Sequence, residues 1–207
     1  MIRALSFDWG GVFTEGTFDA AAVRALARAT GRPEEDLRDP YLALMARFEE
    51  GAFDLPTFHR RFSEATGTAL EADAFRATFL GAIPERRSTI AFLATLPDRY
   101  RVGMLSNNVP VLCDLVRDDR RFGRIERFLF SNEIGVRKPD PAAFAALERA
   151  LDVPPHETVF VDDAERNVAA ARELGFQAIL LDTVPRFAER WRVVVPDVPP
   201  PDPELDA

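Results

Sequence analysis

The sequence predicts an α/β protein, a doubly wound parallel sheet with an inserted helical subdomain. Three observations predict it. Strand-like and helix-like segments alternate after residue 84, a single strand-like segment opens the chain, and four helix-like segments without a strand pattern lie between these parts. Alternating strands and helices of this length form a parallel sheet with helices on both faces.

The first strand is predicted over residues 2–7, a short apolar run that ends in Asp8 and two glycines. The helix-like segments that follow have helical apolar spacing, and each stops at or next to a glycine, a natural C-cap. They cover residues 18–30, 40–50, 55–66 and 72–80. We therefore expect a helical cap of residues 15–84, inserted between residues 1–14 and 85–190 of the core.

The second part of the core supplies the other strands and helices. Helices are predicted over residues 87–96, 110–117, 141–151 and 164–174, and strands over 101–106, 128–131, 158–162 and 177–181. Residues 191–207 are rich in Pro, Asp and Glu, a composition that predicts an extended or disordered tail.

Composition excludes several classes of function. The formal net charge of −8 opposes general binding to nucleic acid or to an anionic membrane. No apolar run approaches the roughly 20 residues that cross a bilayer, and the first residues do not form a signal peptide, so a cytoplasmic protein is expected. Cys113 is the only cysteine, which excludes an intrachain disulfide, and its apolar neighbours predict a buried, inert thiol. Nothing in the sequence indicates the oligomeric state.

Candidate functional residues follow from the strand ends. In a parallel sheet the ligand site lies beyond the carboxyl ends of the strands, near a switch in strand order. The strand ends carry Asp8, Ser106 and the pair Asp162 and Asp163, and Lys138 lies beyond the third strand. Each has an ordinary structural explanation, such as a helix cap or a surface lysine, but together they indicate one site.

This set of side chains suits phosphoryl transfer. The reaction needs a nucleophile, positive charge near the phosphoryl oxygens and donors that hold them in line. A carboxylate can be the nucleophile, with an aspartyl-phosphate that water then hydrolyses. Clustered acids need a cation between them, and Mg²⁺ fits because it binds one or two carboxylates together with water and phosphate oxygens.

With these residues in place, the sequence resembles the haloacid dehalogenase-like hydrolases, in particular the phosphatases with a small helical cap and a Rossmann-like core. The resemblance covers nearly all of residues 1–182. Four motifs occur in the family's order: Phe7-Asp8-Trp9-Gly10-Gly11-Val12, Leu105-Ser106-Asn107, Gly135-Val136-Arg137-Lys138-Pro139-Asp140-Pro141 and Phe160-Val161-Asp162-Asp163-Ala164-Glu165-Arg166-Asn167.

The resemblance implies a role for each motif residue. Asp8 would be the nucleophile, and Lys138 would neutralise charge between it and the phosphate. The remaining roles are phosphate binding by Ser106, Asn107 and Gly11, metal binding by Asp8, Asp163 and the carbonyl of Gly10, and support of the metal by Asp162 and Asn167. Asn167 lies four residues after Asp163, so a helix that begins there places both on one face.

One residue departs from the family pattern. Most phosphatases of the family have an aspartate two residues after the nucleophile, as general acid and base, and this chain has Gly10. Losing a general acid typically costs ~10²–10⁴-fold in rate. Glu15 and His59 are the candidates to replace it, whereas His156 precedes the fourth strand, at the wrong end of the sheet.

The expected function is therefore that of a magnesium-dependent phosphatase acting on a small phosphorylated metabolite. One alternative is a 2-haloacid dehalogenase, although two acids beside Asp8 would repel a carboxylate substrate. The other is a catalytically impaired binding or regulatory protein, which Gly10 suggests and the retained motif residues oppose. Five cap or loop residues could line the substrate pocket, although helical spacing favours a core position for each: Phe13, Phe18, Tyr41, Met45 and Phe48.

Overall fold

The computed structural model describes residues 1–82 and 85–206. Its centre is one sheet of five parallel strands: β1 (Ala4–Phe7), β2 (Arg101–Ser106), β3 (Arg127–Phe130), β4 (Thr158–Asp162) and β5 (Gln177–Leu180). The strand order is β3-β2-β1-β4-β5. The predicted α/β class and the parallel sheet are confirmed.

The sheet brings the carboxyl ends of β1, β2 and β4 to one edge. Phe7, the last residue of β1, is level with Met104 in β2 and with Val161 in β4. The chain adds β2 and β3 on one side of β1, then β4 and β5 on the other. The strand order therefore switches beside the end of β1, where ligands bind in such sheets.

Four helices follow β1: α1 (Phe18–Thr30), α2 (Glu34–Phe48), α3 (Leu55–Thr66) and α4 (Ala72–Leu80). They pack around a group of buried aromatic rings, among them Phe48, Phe58, Phe62, Phe75 and Phe79. The predicted end of the cap at residue 84 lies outside the described residues, so the division into core and cap stays a prediction.

Helix α2 begins six residues before the predicted start at residue 40, because Pro40 lies inside the helix. Its first turn carries three acidic residues, Glu34, Glu35 and Asp36, which complement the positive end of the helix dipole. Leu37 is fully buried in this added turn. Burial and the acidic turn outweigh the hydrogen bond that proline cannot make.

The remaining helices cover both faces of the sheet: α5 (Arg87–Leu93), α6 (Pro110–Asp118), α7 (Ser131–Ile134), α8 (Pro141–Leu151), α9 (Glu165–Glu173) and α10 (Val184–Val194). The sequence analysis missed α10. Its residue Trp191 is fully buried and stacks on Phe7 at a ring-centroid distance of 6.4 Å. None of the helices in the described ranges is long and apolar enough to cross a membrane.

The C-terminal segment packs on the core in its described residues, so the prediction of an extended or disordered tail was wrong there. Val198 is buried, and its carbonyl accepts a hydrogen bond of 3.0 Å from Trp191 Nε1. Further along, the Asp206 carboxylate accepts a hydrogen bond of 2.9 Å from the backbone N–H of Ser88. Composition identified the prolines and acids but not these partners, which come from distant parts of the chain.

Candidate active site

Lys138 connects two carboxylates at the edge of the sheet. Its Nζ lies 3.0 Å from Asp8 Oδ1 and 2.6 Å from Asp162 Oδ2. The lysine is 2% exposed, so the charge on its side chain is fixed in place rather than solvated. Burial lowers its pKa, but Asp162 and Asp8 more than compensate and raise the pKa above the ordinary value. A permanent positive charge therefore lies against Asp8.

Asn107 holds the loop that carries this lysine. Its Oδ1 accepts a hydrogen bond of 2.8 Å from the backbone N–H of Lys138, and its Nδ2 donates one of 2.9 Å to the carbonyl of the same residue. The amide side chain is thus engaged by the backbone. Its predicted contact with phosphate remains a prediction, and the structure adds a positioning role that sequence motifs did not indicate.

Asp8 follows β1, and its backbone N–H donates to Val161 O at 2.8 Å, which extends the ladder with β4. Burial is the largest cause that raises the pKa of Asp8, to about 7. Lys138 opposes this effect, and the neighbouring Asp162 and Asp163 add to it. The Ser106 hydroxyl, buried at the end of β2, lowers the pKa by hydrogen bonding. The protein alone therefore stabilises the ionised form of Asp8 less than water does.

Asp162 and Asp163 are adjacent but lie in different surroundings. Asp162 is fully buried, and it accepts hydrogen bonds from the backbone of Ala164, from Asn167 Nδ2 and from Lys138. Asp163 is only partly buried, and burial together with Asp162 raises its pKa to about 6, against the lowering effects of Lys138 and Arg86.

The acids fit a divalent cation. Asp8, Asp162 and Asp163 each offer a carboxylate oxygen, and these oxygens lie within 4.8 Å of one another. Because Asp162 is already engaged, Asp8 and Asp163 are the available ligands. Within the described ranges, the buried Oδ1 of Asn167 has no hydrogen-bond partner, so a further oxygen acceptor faces this region. An all-oxygen donor set of this kind suits Mg²⁺.

The two glycines after Asp8 differ in their surroundings. Gly11 has φ of +69°, and a Cβ there would lie 2.0 Å from Asp163 Oδ2. Its N–H donates to Thr14 Oγ1 at 2.8 Å, so this N–H is not free for the predicted phosphate contact. A Cβ at Gly10 would meet nothing within 4 Å. The absence of a side chain at Gly11 therefore leaves room for the Asp163 carboxylate, whereas the region beside Gly10 is unoccupied.

A cavity of about 160 Å³ lies beside Asp8, with walls from the core and from α1 and α2. Four charged residues line it that the sequence analysis did not single out as functional: Asp19, Glu49, Arg137 and Arg166. The two arginines had a sequence signal, because Arg137 lies inside the third motif and Arg166 inside the fourth. Asp19 and Glu49 look like ordinary helix acids in the sequence, because nothing local shows that they face Asp8.

Glu49, like Asp8 and Asp163, is a cavity acid with a raised pKa. Burial raises its pKa to about 7, although Arg137, whose Nη2 lies 2.5 Å from Glu49 Oε2, acts in the opposite direction. Asp19 accepts a hydrogen bond of 3.0 Å from the Tyr41 hydroxyl. The cavity thus has acidic groups from α1 and the end of α2, and arginines from the loop before α8 and from α9.

The other candidates from the sequence are divided between the cavity and the protein interior. Of the five apolar pocket candidates, Phe18 and Met45 line the cavity. Tyr41 and Phe48 are fully buried in the aromatic group, in agreement with the core interpretation. His59 Nε2 makes a hydrogen bond of 2.7 Å with the carbonyl oxygen of Leu70, and the His59 ring packs on Phe75 with 4.7 Å between the ring centroids.

Comparisons with known proteins found a matching family model and a related phosphatase. The family model described as haloacid dehalogenase-like hydrolase matches residues 2–175. A D-ribitol-5-phosphate phosphatase of Bacteroides thetaiotaomicron is 27% identical over 203 residues, covering 93% of this chain and 96% of the relative.

Two solved structures share the fold. A HAD family enzyme of Bacteroides thetaiotaomicron, solved as a complex with magnesium and inorganic phosphate, has a TM-score of 0.71 at 24% identity and covers 87% of this chain and 94% of its own. An L-2-haloacid dehalogenase of Xanthobacter autotrophicus has a TM-score of 0.66 at 22% identity, and the match covers 96% of this chain and 85% of the dehalogenase chain. At these identities the two structures support the fold and not the activity.

Proposed function

The chain belongs to the haloacid dehalogenase-like hydrolases, and within that family we propose that it is a magnesium-dependent phosphatase of small phosphorylated metabolites. One observation carries the proposal. The buried carboxylate of Asp8 lies 3.0 Å from the Lys138 ammonium and within 4.8 Å of the available carboxylate of Asp163. A nucleophile, a fixed cation and a second metal ligand are the parts that phosphoryl transfer requires.

In the proposed reaction an oxygen of Asp8 forms a bond to phosphorus, and the bond between phosphorus and the ester oxygen breaks. The leaving oxygen takes the electron pair and then a proton from water. A second water attacks phosphorus, the bond between phosphorus and the Asp8 oxygen breaks, and the carboxylate is restored. Lys138 stabilises the charge near Asp8, while Ser106 and Asn107 hold phosphoryl oxygens. Bound Mg²⁺, held by Asp8, Asp163 and the carbonyl of Gly10, would neutralise phosphoryl charge.

The relative and the local electrostatics favour phosphatase activity over dehalogenation. The phosphatase relative matches over 93% of the chain. Asp162 and Asp163 both raise the pKa of Asp8 because they place negative charge beside it. A haloacid carboxylate would meet the same repulsion, whereas a phosphate ester that arrives with Mg²⁺ would be accompanied by compensating charge.

Hydrolysis of p-nitrophenyl phosphate tests the proposal. We expect turnover with Mg²⁺, none in excess chelator, and a loss of several orders of magnitude in Asp8→Asn, since the amide cannot attack phosphorus. Asp118→Asn is the matched control, because Asp118 is an exposed acid on α6. Activity above ~1% of wild type in Asp8→Asn would show that another group is the nucleophile.

A further inference from the structure

The lining of the cavity beside Asp8 includes an ion pair that the proposed chemistry does not use. Glu49 follows the end of α2, and Arg137 directly precedes Lys138 in the loop between α7 and α8. Glu49 Oε2 and Arg137 Nη2 lie 2.5 Å apart, and Glu49 is 7% exposed. Both residues line the cavity that contains Asp8.

The backbone fixes Glu49 against the core. Its carbonyl accepts a hydrogen bond of 2.5 Å from Ser131 Oγ, at the start of α7. Close by, Gly51 approaches the backbone of α7 so closely that a Cβ would lie 2.6 Å from Asn132 O. The acid is therefore held by the core as well as by its own helix, as a preformed binding group should be.

The pair retains unused hydrogen-bonding capacity. In the described part of the chain, Glu49 Oε2 and Arg137 Nε are both buried without a hydrogen-bond partner, since the ion pair is close but not aligned as a hydrogen bond. More than nine-tenths of buried polar groups in proteins have such a partner. Because both side chains line the cavity, a hydroxyl group bound there can donate to the Glu49 carboxylate and accept from the Arg137 guanidinium.

The charged groups around the cavity offer both acceptors and donors to a ligand. Asp19 and Glu49 supply carboxylate oxygens that accept hydrogen bonds, and Arg137 and Arg166 supply guanidinium groups that donate them. Hydroxyl groups both donate and accept, so they suit a wall on which acids and arginines face the same space.

We propose that Glu49 and Arg137 form the subsite for the leaving group, and that this subsite selects phosphate esters of polyhydroxylated alcohols. The assignment rests on the proposed phosphatase function, because it places the leaving group of that reaction. Glu49 acts as a specificity-determining residue that binds substrate hydroxyls.

The test compares two esters with the same carbon chain, xylitol 5-phosphate and n-pentyl phosphate. Their dissociation constants are measured by calorimetry with Mg²⁺ on the Asp8→Asn protein, with Glu49 intact or replaced in Glu49→Gln. With Glu49 intact we expect at least about tenfold tighter binding of the polyol ester, and Glu49→Gln should reduce this preference about tenfold. The preference in kcat/KM should fall similarly when Glu49→Gln is made in the wild type. The difference in leaving-group acidity between the two esters cancels in this comparison, because the same two esters are assayed with both proteins.

Glu50→Gln is the control, since Glu50 is the exposed acid next in sequence and should leave the preference unchanged. A cooperative thermal transition of Glu49→Gln shows that the variant is folded. Equal binding of the two esters, or an unchanged preference in Glu49→Gln, would overturn the subsite even if p-nitrophenyl phosphate is hydrolysed. Without any hydrolysis by the wild type the phosphatase proposal fails, whereas the dissociation constants still decide whether the subsite exists.

Discussion

Gly11→Ala should separate two requirements that meet at one residue, the left-handed backbone and the space occupied by Asp163. The backbone has φ of +69°, which costs a residue with a side chain about 1–2 kcal/mol. The new Cβ would lie 2.0 Å from Asp163 Oδ2, whereas ordinary contact begins at 3.4 Å. The carboxylate would have to move by the difference, 3.4 − 2.0 = 1.4 Å.

A movement of this size removes a magnesium ligand, because Mg²⁺ requires near-ideal octahedral geometry. We expect the free energy of unfolding in urea to fall by about 1–3 kcal/mol. The Mg²⁺ dissociation constant, measured by calorimetry, should rise at least about 10- to 100-fold, the range known for weaker perturbations of metal sites.

Two further glycines serve as controls. Gly16 has φ of +73° with nothing within 4 Å of an added Cβ, so Gly16→Ala should lose stability and keep Mg²⁺ affinity. Gly10 has the same free space without a positive φ, so Gly10→Ala should change stability by less than about 1 kcal/mol. Wild-type Mg²⁺ affinity in Gly11→Ala would refute the assignment of Asp163 as a ligand.

Three other outcomes are expected. The hydrolysis rates of the wild type on a series of phosphate esters should fall steeply as the leaving-group pKa rises. Gly10→Asp, which has free space for its Cβ, should make this dependence weaker. A flat dependence in the wild type would mean that a general acid exists elsewhere. In metal-free protein the pKa of Asp8 is raised from 3.8 to about 7 and that of Asp163 to about 6. A pKa that is raised in the folded state stabilises that state most below about pH 4, and this stabilisation is lost as the pH rises through the raised pKa. The melting temperature in chelator should therefore fall from pH 4.5 to 7.5, and it should fall less in Asp8→Asn. An equal decrease in the two proteins would contradict the shift at Asp8. Deleting residues 196–207 removes the buried Val198 and its hydrogen bond with Trp191. The free energy of unfolding in urea should therefore fall by about 2–4 kcal/mol. Wild-type stability of the shortened protein would show that the segment does not contribute.

Local patterns predicted the elements whose limits are set locally. The helices Phe18–Thr30, Leu55–Thr66 and Ala72–Leu80 have the predicted bounds because a glycine follows each of them. The start of α2 was missed because Pro40 suggested a first helical position, although burial of Leu37 allows the helix to begin earlier. The packed tail depends on contacts such as Asp206 with Ser88, 118 positions apart, which composition does not encode.

The candidate site shows the same limit. Parallel strands bring their carboxyl ends together, so reading strand ends was enough to group Asp8 with Asp162 and Asp163. The pairing of Glu49 with Arg137 could not be read in this way, because it depends on how the end of α2 lies against the core.

The unequal surroundings of Asp162 and Asp163 explain how adjacent acids can have different roles. Asp162 is saturated by Lys138, Asn167 and the backbone, so its charge fixes the lysine rather than a metal. Lys138 contacts both Asp162 and Asp8. Its positive charge is therefore shared between the two carboxylates and is not used to neutralise Asp8 alone. Among the described residues, Asp163 has no such cation of its own at hydrogen-bond distance, and burial together with the charge of Asp162 raises its pKa. A metal ion that binds Asp8 and Asp163 would therefore supply the charge that Lys138 cannot, while the contact between Lys138 and Asp162 is left intact.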